Sequence, residues 1–136
     1  MTTKALGMEG LESEDSGMAK RAGTPVCFSE EEAEYLAENI LGRLATVSPE
    51  DQPHVVPVAY RFDGTSIYFG GFNLNRSLKF RNIMRNNKVA FVVDDLDSSK
   101  PWRPRGIEVR GYAEAYKIGQ SVGVRITPTR KSSWGL

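Results

Sequence analysis

One cysteine and one histidine are all that this chain of 136 residues has of the two residue types that most often build metal and nucleophile sites. Cys27 alone can form no disulfide within the chain, which argues against a stapled secreted scaffold. Its neighbours Val26 and Phe28 are apolar and favour a structural thiol. A lone His54 leaves no His/Cys cluster for zinc and reads as an exposed residue at the start of a strand. Ser-His-Asp catalysis would have to use that histidine, and no nucleophile elbow is present. Charge of one sign is also lacking. A formal net charge of +1 gives no global pull toward nucleic acid or membrane, so any anion site must be local. No apolar run is long enough to span a bilayer. The N-terminal stretch with Lys4, Glu9, Glu12, Glu14, Asp15, Lys20 and Arg21 has no signal-peptide core, and the expected location is the cytoplasm.

What is present reads as one domain. Residues 1–24 are polar and aperiodic and are expected to be a mobile tail, with the folded domain over 25–136. Ser29-Glu30-Glu31-Glu32 is a capping box. Ala33, Leu36, Ala37, Ile40 and Leu41 then form a helical stripe, and Gly42 stands where a left-handed C-cap belongs. From there the period is two. Strands are expected over 43–48, 53–62, 65–71, 88–94, 105–116 and 124–129, with Asp63-Gly64 as a hairpin turn. A short helix is expected over 77–85, loops over 95–104 and 117–123, and a tail over 130–136. Six strands and two helices predict a mainly β fold, a small antiparallel barrel.

The stretch from Ile67 to Asn82 carries the most chemistry. It passes from strand through Gly70-Gly71 and a polar loop to a helix capped by Ser77. Free N–H groups at that helix start favour an anion, and the Ser77 hydroxyl can donate to a phosphate oxygen. Arg76 and Lys79 oppose the helix dipole there, which makes sense with an anion to hold; a basic, solvated helix carrying Arg81, Arg85 and Lys88 is the plainer reading. The glycine pair lets a ligand approach the backbone, and Pro57 interrupts a strand so as to mark an edge, a bulge or an exposed face. Trp102 in a stiff Pro-flanked loop and Trp134 near the end of the chain serve equally as pocket walls or packing residues. Asp94, Asp95 and Asp97 fit a solvated strand exit better than a cation site. With no acid–base pair in view, an enzyme built this way needs a cofactor to carry its chemistry.

In order, the pieces Gly42–Val47, Pro53–Val58, Ile67–Gly71, Arg76–Asn82, Val89–Asp95, Pro104–Gly111 and Ser133–Leu136 resemble the pyridoxamine-5′-phosphate-oxidase-like split-barrel family, specifically its deazaflavin-dependent branch. The resemblance covers essentially everything after residue 28. It implies a six-stranded antiparallel Greek-key split β-barrel with an N-terminal and a mid-chain helix, paired into a homodimer with two cofactor grooves. It implies that Ser77 and Lys79 grip the cofactor phosphate with Arg76 and Asn82 beside them, and that Val56, Pro57 and Val58 lie along the ring. It also implies that the partner subunit closes the groove through Trp102, Arg105 and Trp134. The Asp-Asp-Leu and Arg-Gly-Ile-Glu-Val-Arg-Gly pieces are similar to F420-dependent reductases, including tailoring enzymes of polyketide antibiotic pathways. The anionic tail of coenzyme F420 suits Arg76, Lys79, Arg81 and Arg85 by sign, and FMN is the alternative cofactor. The 117–123 connection is shorter than in many such proteins, which leaves the substrate side open.

The implied activity is an oxidoreductase that moves a hydride between F420 and an unsaturated small-molecule substrate, with the proton taken from solvent, Tyr60 or Tyr68. A flavin-binding protein without turnover is a second reading. A third, an oligonucleotide-binding barrel, fits poorly with the neutral net charge.

Overall fold

The computed structural model describes residues 24–100 and 102–136; the tail expected over 1–24 lies, apart from Thr24, outside them. Helix α1 (Glu30–Glu38) begins with the capping box read from the sequence. The Ser29 hydroxyl accepts from the Glu32 N–H at 3.1 Å, and the Ser29 N–H donates to Glu32 Oε1 at 2.9 Å. The helix stops earlier than expected. Asn39 leaves it in an extended conformation, Ile40 is 74% exposed, and strand β1 (Leu41–Val47) starts at once. Gly42 is therefore a strand residue and not a C-cap. A Cβ there would collide with the Phe91 ring, so the glycine answers a tertiary contact that local pattern cannot show.

Seven strands form, because Tyr60 divides the expected 53–62 strand into β2 (Pro53–Ala59) and β3 (Arg61–Phe62). The others are β4 (Ile67–Gly70), β5 (Lys88–Leu96), β6 (Pro104–Ile118) and β7 (Ser121–Trp134). They make one antiparallel sheet in the order β2-β1-β5-β6-β7-β4-β3. The two edge strands are thus joined by a single residue, which requires the sheet to curl back on itself with its seam between them. Leu44, Ile67, Phe91, Ile107, Val109 and Ile126 fill the interior, and Tyr35 and Leu36 of α1 pack into the same core.

Two expectations near the C-terminus are corrected. The 117–123 loop is a tight hairpin in which Ile118 pairs with Ser121, and residues 130–134 are strand, not tail. Their polar sequence reflects an exposed strand held by its ladder with β6, from Arg110↔Arg130 to Gly106↔Trp134. Helix α2 (Leu78–Arg85) follows a 3₁₀ turn (Leu74–Arg76) and lies against β1, with Phe80, Asn82 and Ile83 buried. No helix of the described residues is long and apolar enough to cross a membrane.

Candidate functional site

The corner between β4 and α2 is built for an anion. Gly71 adopts φ +151° with open space where a side chain would stand, Asn73 is left-handed at φ 59°, and buried Leu74 anchors the 3₁₀ turn. Ser77 caps α2 by accepting from the Phe80 N–H at 3.3 Å, while its own proton goes to the Leu74 carbonyl at 2.6 Å. The amides of Leu78 and Lys79 open the helix without an intrahelical partner. The first turn of α1 carries three glutamates; that of α2 carries no acid. Among the described residues Arg76, Lys79, Arg81 and Arg85 have no ion pair, nor do Arg61, Lys88, Lys117 and Arg130 on the strands, whereas Arg43, Arg105, Arg110, Arg125 and Lys131 pair with Asp94, Asp95, Glu108, Glu114 and Glu32. Arg76 and Lys79 stand at the positive end of the helix, whereas Arg81 lies further along and Arg85 in its last turn; the uncompensated pair at the start leaves a local charge that an anion would balance.

Asn82 does not share that surface. It is buried and donates through Nδ2 to Thr46 Oγ1 at 2.9 Å, so it braces α2 on β1 from within. His54, expected to be exposed, is half-buried, and its buried Nδ1 has no hydrogen-bond partner among the described residues. Cys27 is exposed.

Strand β2 is an edge, which explains its central proline. Alternation turns Val56 and Val58 inward, where Val58 belongs to the core and Val56 packs against it. Of the three residues expected along the ring, Pro57 alone faces out. It pairs with Arg43 and is flanked by Val55 (65% exposed) and Ala59. Leu41, Ala45, Ala90 and Val92 continue the same outer face through the β2-β1-β5 register. Arg43, paired with Asp94, stands on this face between Pro57 and Val92, so the apolar positions surround a charged pair.

A third group gathers at the far ends of β5 and β6. Asp95 accepts from Arg105 Nε at 2.7 Å and Nη2 at 3.0 Å, and from the Tyr35 hydroxyl at 2.8 Å. The Arg105 and Tyr35 hydrogen bonds hold the Asp95 carboxyl below the usual range. Trp134 lies against Gly106, and Trp102, 86% exposed at φ 68°, crowns a β5–β6 loop tied by Asp97 to Ser99 and Arg103. The acidic run, Asp94 and Asp95 at the end of β5 and Asp97 just past it, is thus committed to arginines and a turn, and no metal-binding group of three or more His, Cys, Asp or Glu occurs among the described residues.

Sequence reasoning missed Glu32 as more than a cap. Its carboxylate also accepts from Lys131 Nζ at 2.5 Å and Ser133 Oγ at 2.7 Å, a partnership across about a hundred positions that no local pattern announces. Burial alone would raise its pKa, but these bonds and the Ser29 N–H lower it to about 2. Neither expected tyrosine offers a free proton. The Tyr60 hydroxyl is inside the barrel, donating to the Leu36 carbonyl at 2.6 Å, with burial pushing its pKa up to about 12. Tyr68 donates to Asp63 Oδ2 at 2.8 Å, which raises its pKa.

The sequence profile of the family described as Pyridoxamine 5′-phosphate oxidase matches residues 28–130, nearly the whole barrel. The chain belongs to that family. Within it, the chain is 38% identical over 120 residues to a 5a,11a-dehydrotetracycline/5a,11a-dehydrooxytetracycline reductase of Streptomyces rimosus, covering 80% of this chain and 84% of that one. Among solved structures, the family member resembles the conserved hypothetical protein Rv2991 of Mycobacterium tuberculosis with a TM-score of 0.67 and 26% identity, over 81% of this chain and 86% of that one. It resembles an F420 reductase with a TM-score of 0.62 and 24% identity, over 77% and 98% of the two chains.

Proposed function

We propose that this family member is an oxidoreductase that uses coenzyme F420, bound between two copies of the barrel, to reduce an unsaturated organic small molecule. The observation that carries the reading is the α2 corner: Arg76 and Lys79, without an ion pair among the described residues, stand at a helix start free of acids beside an open glycine turn, with Arg81 and Arg85 further along the helix, and this suits a phosphorylated cofactor with an anionic tail. Lys79 and Arg76 would hold the phosphate with the Leu78 and Lys79 amides. Ser77 would join them by turning its hydroxyl from the Leu74 carbonyl. The similarity to a reductase of dehydro compounds supports reduction as the reaction, and the shared fold of an F420 reductase supports the cofactor.

Bound, F420 supplies a two-electron hydride from its reduced ring. The chain supplies binding and a dry surface: Pro57 with Val55, Ala59 and Leu41 offers a flat apolar face, and a second copy laid on that face would exclude water. Trp102, Arg105 and Trp134 of the second copy would close the groove. Because the phenols of Tyr60 and Tyr68 are engaged, the proton comes from solvent.

Titrating the purified protein with F420 and with FMN, followed by turnover with an enone panel, tests the reading. Selective F420 binding with reduction is expected. Preference for FMN would make it a flavin enzyme of the same fold, and binding without turnover of any substrate would make it a carrier.

A further inference from the structure

We propose that Tyr35 and Asp95 are positioning residues that fix Arg105 as a directional anion receptor for the cofactor; this rests on the assignment of Arg105 to the cofactor groove. Three elements distant in sequence meet in the arrangement. Tyr35 comes from α1, Asp95 from the end of β5 and Arg105 from the start of β6. Tyr35 is 5% exposed, so the seat is rooted in the core. The Arg105 guanidinium lies over the Tyr35 ring at 5.4 Å from its centroid, and Nε and Nη2 engage the two oxygens of Asp95. Asp95 Oδ1 is in turn held by the Tyr35 hydroxyl.

The Tyr35 ring supports the guanidinium from one side, and the two-point contact with Asp95 sets its direction. Among the described residues the Nη1 edge has no partner, on a side chain that is 38% exposed. Backbone packing restrains the residue further, since Gly135 (φ +69°) lies against the Pro104 carbonyl and Arg105, and Trp134 lies on Gly106 next door. An arginine that is already oriented loses little freedom on meeting a carboxylate or phosphoryl oxygen, and its planar N–H pair suits both. The pair with Asp95 cancels most of the net charge. Recognition here is therefore by direction, in contrast to the unpaired cations of the α2 corner.

The test uses the full chain titrated with F420 and FMN at neutral pH, with the melting temperature of every variant measured alongside. Arg105→Ala is expected to weaken the preferred cofactor about tenfold or more, and Asp95→Asn and Tyr35→Phe roughly threefold to tenfold each. Millimolar guanidinium should restore affinity to Arg105→Ala, because the seat survives, and should fail to do so in Arg105→Ala/Asp95→Asn. A brace with a merely structural role would lower melting temperatures and leave affinity unchanged, which overturns the proposal. Weakening by Arg105→Ala alone, with Asp95→Asn and Tyr35→Phe binding normally, also overturns it but keeps Arg105 in the groove. Wild-type affinity in Arg105→Ala alongside a loss in Lys79→Ala removes Arg105 from the groove, and the proposal with it, while leaving the α2 corner intact. Should Tyr35→Phe fail to fold, the Asp95 variants decide, since Asp95 is exposed.

Discussion

Tyr60 donates its hydroxyl to the Leu36 carbonyl at 2.6 Å, and so ties the one residue that joins the two edges of the sheet to the helix that covers the seam. The Tyr60 N–H also donates to the Ile40 carbonyl at 2.9 Å. Tyr60→Phe would leave the Leu36 carbonyl buried and unpaired, at a cost of about 1–3 kcal/mol. Denaturant unfolding should show a shifted midpoint with an unchanged slope. Cofactor affinity should stay the same, since this hydroxyl faces the interior.

Glu32 makes stability depend on acidity. Its folded pKa of about 2 lies below the ordinary carboxyl value of 4.5. Its stabilising contribution is therefore complete above about pH 5 and is lost as pH falls toward 2. The depression corresponds to roughly 3 kcal/mol. Thermal melts of Glu32→Gln should lie below wild type at neutral pH and converge with it on acidification.

Gly42→Ala should destabilise by about 1–3 kcal/mol, because the new methyl meets the Phe91 ring across β1 and β5. Denaturant unfolding of the variant measures this cost, and an unchanged midpoint would contradict the contact.

The apolar face of β2-β1-β5 predicts self-association. Val55→Asp places a charge among its apolar residues on β2 and should convert a dimer to a monomer in sedimentation, with loss of cofactor affinity. A wild-type protein that is monomeric at high concentration would contradict the dimer.

The barrel was legible in the sequence where one face of a strand is buried, as in β5 and β6, and where side chains act locally, as in the Ser29/Glu32 capping box. Pro57 could be read as an edge because a missing N–H has few places to go. What escaped was set by partners far along the chain. The identity of Gly42 answers to Phe91, the strand over 130–134 exists through β6, and Glu32 meets Lys131 and Ser133. The family resemblance implies a place for Asn82 beside the phosphate, yet its amide turns inward to Thr46. The cationic corner itself was visible, since Arg76, Ser77 and Lys79 sit within four positions. That none of its cations has a carboxylate partner among the described residues required the fold.

The account stands on an anionic cofactor docking at the start of α2. The direct measurement is the affinity of F420 and FMN for wild type, Lys79→Ala and, as a control, Arg130→Ala on the exposed end of β7. Loss of a charge-assisted contact predicts roughly 1.5–3 kcal/mol weaker binding for Lys79→Ala, about 10- to 150-fold, with Arg130→Ala unchanged. Equal affinity in all three proteins would contradict it.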